Sequence, residues 1–329
     1  MTGTNENSTP TRAPGLNGWV EAALFVVSIS LLNIVYTSAS QNDVHVLVFV
    51  AQAMFVASIA MLAYTGLGDD WRKVVMHPTS WLFGISAVAL ETTYFMLLSY
   101  LAPAEATLTV RLTVPISVFI GWLFFSRRID WLMLLGLAII IAAVLPIFDG
   151  LEPGATLPAL FFGILCSTVV SIKTFCSEFH PWNRRAKTIT EKMRVTGLVV
   201  LTTTIALTTF MFVGVGLIAN NVISQTSMLP TVPQLTHHHA IYLSIFFGAP
   251  LLVAMNYLTF SSVVKIRTEN FLAMSAFTPL IAWICQVLAE KAGFISTPLM
   301  GWRLLPLTAV GIIGVFIVIW AGRGQGEQD

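Results

Sequence analysis

At residues 103–115 the chain reads PAEATLTVRLTVP, and at 267–279 it reads RTENFLAMSAFTP. In each stretch a Glu stands ten residues ahead of a Pro, Glu105 before Pro115 and Glu269 before Pro279, so the two superpose at an offset of 164. The same alignment sets Thr113 on Phe277 and SRR at 126–128 on EKA at 290–292, and after one extra residue Gly136 on Gly301. A Glu near the start of an apolar run that a Pro then interrupts is a modest signal when found once. Finding it twice, at corresponding places in two halves, indicates an internal duplication.

The setting of those stretches is a membrane. Of 329 residues, 56% are hydrophobic and only 10% charged, with a mean hydropathy of +0.81, whereas soluble domains carry about 25% charged residues. A bilayer core needs about 20 apolar residues in helical form, and ten segments meet that length: 18–38, 44–65, 80–100, 104–125, 130–148, 156–177, 195–219, 240–263, 269–289 and 301–321. Turn-rich, charged segments such as GDDWRK, DGLEPG and HPWNRRAK separate them. The predicted class is an all-α polytopic membrane protein, with ten transmembrane helices as two inverted five-helix repeats.

Lysine and arginine placement tests this division, because cytoplasmic loops are enriched in both. With the N-terminus inside, 13 of the 17 Lys and Arg fall on the inner side, two (Lys291 and Arg303) fall outside, and two (Arg111 and Lys173) fall within spans. Both termini are therefore expected in the cytoplasm, with the protein in a plasma (inner) membrane. The expected organisation is a disordered cytoplasmic tail over 1–17, a first repeat over 18–150, a second over 151–321 and a short cytoplasmic tail over 322–329. Five spans is an odd number, so the second repeat crosses the bilayer in the opposite sense. Inverted repeats with interrupted helices suit alternating access about a midplane site.

Ten spans, a five-plus-five duplication, and fourth and ninth helices of the form A/T-E-x(9)-P resemble the drug/metabolite transporter superfamily, in particular its EamA-type branch. The resemblance covers about 18 to 321. It implies export or exchange of small metabolites, such as amino acids, organic acids, nucleotide sugars or phosphorylated compounds. The family's usual Glu in the turn after the ninth helix is matched by Glu290, while the turn after the fourth carries Ser126 and Arg127 instead.

A charge at the centre of a transmembrane helix costs roughly 2.5 to 3.5 kcal/mol on insertion scales, so it persists where it pairs, faces water or serves function. Arg111 lies ~12 Å from the outer end of its span and Glu91, on the preceding antiparallel span, ~13 Å. That equal depth suggests a salt bridge between them. Their counterparts in the second half are Ser275 and Met255, so the scaffold was duplicated and the charged pair was not. One reading is that Glu91 and Arg111 tie two helices together. The other is that the Arg fork holds a carboxylate or phosphate, while Glu91 competes for it or carries a proton. Lys173 either snorkels to the inner headgroups or, if its span lines the cavity, adds a second cation.

The predicted pocket lining groups Arg111 and Glu91 with Asn33, Tyr36, Tyr94, Thr107, Lys173, Asn256, Tyr257 and Ser275, with Trp283 as its aromatic wall. Pro115, Pro279, Glu105 and Glu269 belong to the framework. No cofactor, metal or nucleic-acid partner is expected. Cys166, Cys176 and Cys285 are read as packing residues, and HHH at 237–239 as part of a flexible outer loop. Without a Walker loop the chain is expected to work without ATP, as a monomer or homodimer, on a small-molecule substrate coupled to protons or to a counter-substrate. Two further readings stand beside this one: a nucleotide-sugar or organophosphate antiporter, in which Arg111 and Lys173 sit roughly 10 Å apart in depth, and an intramembrane lipid-modifying enzyme.

Overall fold

The computed structural model describes residues 16–125, 129–149, 151–224, 229–296 and 304–323. All regular structure among them is helical. The first half comprises α1 (Gly18–Gln41), α2 (Val46–Thr65), the short α3 (Trp71–Met76), α4 (Pro78–Leu97), α5 (Pro103–Thr109), α6 (Thr113–Phe125) and α7 (Trp131–Phe148). The second comprises α8 (Thr156–Phe179), the short α9 (Pro181–Arg185), α10 (Ile189–Ala219), α11 (Val232–Leu235), α12 (His238–Tyr242), α13 (Ala249–Ser275), α14 (Thr278–Lys291) and α15 (Leu304–Arg323). Among the described residues, nine helices at the expected spans are long and apolar enough to cross a bilayer. The tenth is shorter because its helix breaks midway, as described below.

The helix pairings carry the signature of an inverted duplication. The most extensive packing joins α7 to α15, α1 to α13, α2 to α10 and α4 to α8. A pseudo-two-fold axis that exchanges the halves maps α2 onto α10 and α7 onto α15, so those two interfaces are self-paired. It maps the α1–α13 contact onto the α8–α4 contact. Gly136 and Gly314 show the close approach at one self-paired interface. A Cβ added to either meets the other's carbonyl oxygen, at 2.8 and 2.9 Å, and small residues that let helices approach this closely drive packing in lipid.

α13 is helical throughout, yet its neighbours show that the chain reverses within it. Gly18 abuts Lys265 and Ile266, and the Phe25 ring lies 4.8 Å from that of Phe271. On a straight helix Phe271 would be about 18 Å away along the axis from the level of Phe25. The chain therefore turns back between Ile266 and Phe271, and α13 ends one span and begins the next. The first half makes this turn with Ser99–Ala102 and a Pro at the start of α5. VKIRTEN, at 264–270, has neither Gly nor Pro and turns without leaving helical geometry.

Both interrupted spans break at repeat-equivalent positions. Between α5 and α6 the chain tightens into a 3₁₀ turn at Val110–Leu112, and between α13 and α14 it leaves helical geometry at Ala276 and Phe277. Pro115 and Pro279 follow each break. A proline has no N–H for the carbonyl four residues earlier, and in a membrane that carbonyl must find another donor. For Ser275 the donor is the Thr278 hydroxyl, at 2.6 Å. Glu105 caps the start of α5, its carboxylate accepting from the Ala102 N–H at 3.1 Å. The Glu269 side chain lies outside the described residues.

Two expectations from the sequence need correction here. His238 and His239 open α12 rather than lying in a loop, with His237 at its N-cap. Lys173 does not snorkel: it is 4% exposed, and its ammonium stands over the Phe83 ring at 5.5 Å.

Candidate functional site

The two broken spans meet at the pseudo-axis, and a cavity of about 80 Å³ opens there. A water needs roughly 10–15 Å³ of such space, so this volume holds a few waters and no metabolite. α1 contributes Phe25 and Ile29, α4 contributes Leu90, Glu91 and Tyr94, and α8 contributes Val170, Lys173 and Thr174. The broken spans contribute Thr107, Arg111 and Val114 from one half, and Phe271, Ser275 and Thr278 from the other. At the offset of 164 these form pairs, Thr107 with Phe271, Arg111 with Ser275 and Val114 with Thr278, and Glu91 pairs likewise with Met255, which also borders the cavity. Both halves thus build one site from equivalent positions bearing unlike chemistry.

Arg111 is 7% exposed. Its Nε donates to the Thr107 carbonyl at 3.1 Å and its Nη1 to the Ser275 hydroxyl at 2.8 Å. Both acceptors are neutral, and no carboxylate pairs with the guanidinium among the described residues. The 3₁₀ turn that carries Arg111 and the last turn of the α13 helix that carries Ser275 are what bring these side chains together.

Glu91 does not form the expected salt bridge with Arg111. Its Oε2 accepts from the Tyr36 hydroxyl at 2.6 Å, its Oε1 has no hydrogen-bond partner among the described residues, and the cation whose field it feels is Lys173. Equal depth on adjacent helices does not fix the angle about the helix axis, and Glu91 is turned toward α1 and α8. The Lys173 ammonium makes no ion pair or hydrogen bond among the described residues and feels Glu91 only at a distance, so the cavity has two cations that no carboxylate touches among those residues.

Six Ser and Thr hydroxyls border the cavity, on Thr107, Thr113, Thr174, Thr259, Ser275 and Thr278, and each donates to a backbone carbonyl three or four residues earlier, at 2.6–2.8 Å. They therefore offer lone pairs rather than protons to the interior. The donors left for a guest are Arg111, Lys173 and the Tyr94 hydroxyl. The breaks add to this polarity: α6 and α14 begin beside the cavity, and a helix start carries positive partial charge.

Of the predicted lining residues, Arg111, Glu91, Tyr94, Thr107, Lys173 and Ser275 border the cavity. Tyr36 supports Glu91 from behind, and Asn33 lies close to Tyr94 without a bond inside 3.5 Å. Asn256 is buried, its amide donating to Leu252 in its own helix at 3.0 Å. Tyr257 and Trp283 do not line the cavity; helical phase turns them elsewhere, and Trp283 packs against the main hydrophobic core. The aromatic wall is Phe25 with Phe271. A larger groove of about 490 Å³, between Trp19, Phe277, Phe316 and Trp320, is almost wholly apolar and faces outward.

Two inverted halves meeting at broken helices around a central polar cavity define a helical membrane protein of inverted-repeat architecture. Residues 18–149 match the EamA-like transporter family, part of the drug/metabolite transporter superfamily. One solved crystal structure shares the fold with a TM-score of 0.55 at 17% identity, the match covering 92% of this chain and 99% of that one. The fold match thus spans both halves, where the family match covers the first. No curated protein matches the sequence.

Proposed function

We propose that the protein is a secondary transporter that moves a small organic anion, such as an amino acid or organic acid, by alternating access, with both chain termini on the cytoplasmic side of a plasma membrane. The single observation that carries this reading is the buried Arg111 guanidinium, which borders the cavity and is held only by a carbonyl and a hydroxyl. A buried charge without a counter-charge is costly, and a guest carboxylate or phosphate removes that cost while accepting a bidentate fork. Lys173, on α8, serves as the second anion contact. Thr107, Ser275 and Tyr94 line the path of the guest, and Phe25 and Phe271 take its apolar body.

The cavity is far smaller than the roughly 300–1,000 Å³ of small-molecule sites. In this reading the conformation is contracted, and the broken spans at Pro115 and Pro279 move apart to admit substrate. The rival reading as an intramembrane enzyme lacks support: none of the six cavity hydroxyls is hydrogen-bonded to a base.

The test is transport in proteoliposomes and ligand-induced thermal stabilisation across a panel of monocarboxylates, dicarboxylates, amino acids, sugar phosphates and quaternary amines. The expected result is stabilisation by one anionic class, lost in Arg111→Ala and weakened at least tenfold in affinity in Arg111→Lys, which keeps the charge and loses the fork. If both variants fold and handle every anion as the parent protein does, the reading fails.

A further inference from the structure

The anion reading leaves one cavity group unused, the Glu91 carboxyl. It is 2% exposed, on α4, at the wall facing α1 and α8. One of its oxygens is fixed by the Tyr36 hydroxyl and the other has no hydrogen-bond partner among the described residues. A group that served only to neutralise Lys173 would be expected to touch it. No ion pair within 4 Å joins them among the described residues, and the Lys173 ammonium rests on Phe83 instead.

We infer that Glu91 is the proton carrier of the transport cycle, and that it couples entry of the anion to uptake of one proton. This rests on the anion reading above. The physical link is charge within one small space. A guest anion between Arg111 and Lys173 stands beside Glu91 and draws on the Lys173 field that otherwise supports its negative charge. Like charges in a low-dielectric cavity oppose one another, so the anion binds more readily when Glu91 is neutral, and the proton binds more readily when the anion is present. The proton comes from water on the face to which the cavity is open and adds to the free Oε1. It returns to water when the cavity opens to the other face, and only that O–H bond forms and breaks. One monovalent anion and one proton together carry no net charge, so the loaded cavity crosses as an electroneutral unit.

The remaining titratable or charged groups around Glu91 are accounted for by element. Tyr36 on α1 already donates to it, Tyr94 lies one turn on along α4, and Cys166 and Lys173 project from α8. Arg111, on the 3₁₀ turn, is committed to Thr107 and Ser275. Of these, the Glu91 carboxyl and the Tyr94 hydroxyl each keep an oxygen on the cavity wall without a hydrogen-bond partner among the described residues, and the carboxylate is the one that takes up a proton to become neutral.

The experiment uses the full chain in proteoliposomes with radiolabelled lactate, glutamate and glycerol 3-phosphate as probes and a pH-sensitive dye in the lumen. For the anion that is carried, the parent protein is expected to accumulate it about tenfold for each unit of pH gradient, one proton moving per charge, since one pH unit and one decade of concentration are the same free energy. Glu91→Gln is expected to exchange anion for anion and to accumulate none, with no dye response, whereas Glu91→Asp restores accumulation. Infrared difference spectra between acid and alkaline pH supply a readout that needs no substrate: over the bands of the other carboxyls, one protonated-carboxyl component present in the parent protein and in Arg111→Ala and missing in Glu91→Gln. Anion transport by the parent protein without pH dependence overturns this inference and leaves the anion reading standing. So does gradient-driven accumulation that survives in Glu91→Gln, or that is lost in Lys173→Met or Cys166→Ala and kept in Glu91→Gln. If the parent protein neither carries nor is stabilised by any anion, the underlying reading fails, and this inference with it.

Discussion

Arg111 and Ser275 occupy the same position in the two repeats, 164 residues apart, and they touch: the guanidinium Nη1 donates to the Ser275 hydroxyl at 2.8 Å. In a two-fold arrangement only residues beside the axis meet their own counterparts, so the axis passes between these two side chains. Both halves break a helix here, and at this shared place they differ in charge. A symmetric pair of arginines would repel across the axis. Arginine opposite serine is the arrangement that leaves one cation on the axis with donors to spare.

Replacing Ser275 tests that arrangement. A hydrogen bond to a charged group contributes about 1.5–3 kcal/mol, so Ser275→Ala is expected to lower the melting temperature by a few degrees and to leave anion binding in place. Ser275→Asp brings a carboxylate to the guanidinium from within the protein. It is expected to keep or raise the melting temperature and to abolish stabilisation by any anion, measured by thermal unfolding in detergent with and without the anion.

The two prolines give a second prediction. Pro279 leaves the Ser275 carbonyl without its helical donor, and the Thr278 hydroxyl replaces it at 2.6 Å. Thr278→Val strands that carbonyl and is expected to cost about 1–3 kcal/mol. Pro279→Ala and Pro115→Ala restore an N–H and favour straight helices, so they are expected to leave stability unchanged or improved while slowing transport at least tenfold. Initial rates of anion exchange compared with melting temperatures separate the two effects.

Much of the fold was legible in the sequence, because apolar length and a repeated Glu–Pro spacing survive any detail of packing. Pro115 and Pro279 marked the broken helices correctly, although the 3₁₀ turn at Val110–Leu112 lies just ahead of the proline rather than at it. The reversal inside α13 was placed between the spans ending at 263 and beginning at 269 by its charges, although VKIRTEN has neither Gly nor Pro and stays helical through the turn. Six cavity residues were found from polar character and helical spacing. The Glu91–Arg111 pair failed because depth was inferred and rotation about the helix axis was not. The apolar wall was invisible for a different reason: in a chain that is 56% hydrophobic, Phe25 and Phe271 look like any other lipid-facing or core residue. One signal did exist for Phe271 and Thr278, since they sit at the offset of 164 from Thr107 and Val114.

At the junction of α8 and α9, His180 gives a pH prediction. It is buried, its Nδ1 accepts from the Asn183 N–H at 3.3 Å, and its Nε2 lies 2.9 Å from the Ser80 hydroxyl, which donates to the Val74 carbonyl at 2.6 Å. The accepting Nδ1 assigns the proton to Nε2. Burial, with His77 nearby as a second cause, holds His180 down at about 4, below its ordinary value of 6.5. The imidazole is thus neutral in the folded protein wherever the unfolded chain would begin to protonate it. Its contribution is complete above pH 6.5 and is lost as the pH falls from 6.5 through about 4, by something on the order of 3 kcal/mol. His180→Gln is expected to flatten that part of the pH–melting profile while lowering stability at neutral pH.

A tie between the halves at the lysine- and arginine-rich end of the bundle yields the last prediction. Glu21, at the start of α1, is fully buried, and Lys265 on α13 reaches it at 2.6 Å while also donating to the Leu16 carbonyl at 3.0 Å. The Ser261 hydroxyl donates to the same carboxylate oxygen at 2.9 Å, and close by the Thr268 hydroxyl and N–H donate to Glu178 on α8. The Glu21 bonds hold α1 of the first half to α13 of the second, the place where the two halves must part if this end opens, while the Glu178 bonds brace the turn of α13 within the second half. The Lys265 side chain is 32% exposed, so removing it leaves the buried Glu21 carboxylate beside solvent without its counter-charge, at a cost of about 1–3 kcal/mol. Lys265→Met is therefore expected to be destabilised, whereas Lys265→Met combined with Glu21→Leu recovers most of the loss. With the charges gone and the fold intact, the double variant lacks the tie alone. It is expected to spend more time open at this end, which a cysteine placed at Val170 on the cavity wall reports as faster labelling by a membrane-impermeant thiol reagent from that side. Labelling no faster than in the parent background would show that these bonds stabilise the fold without controlling access.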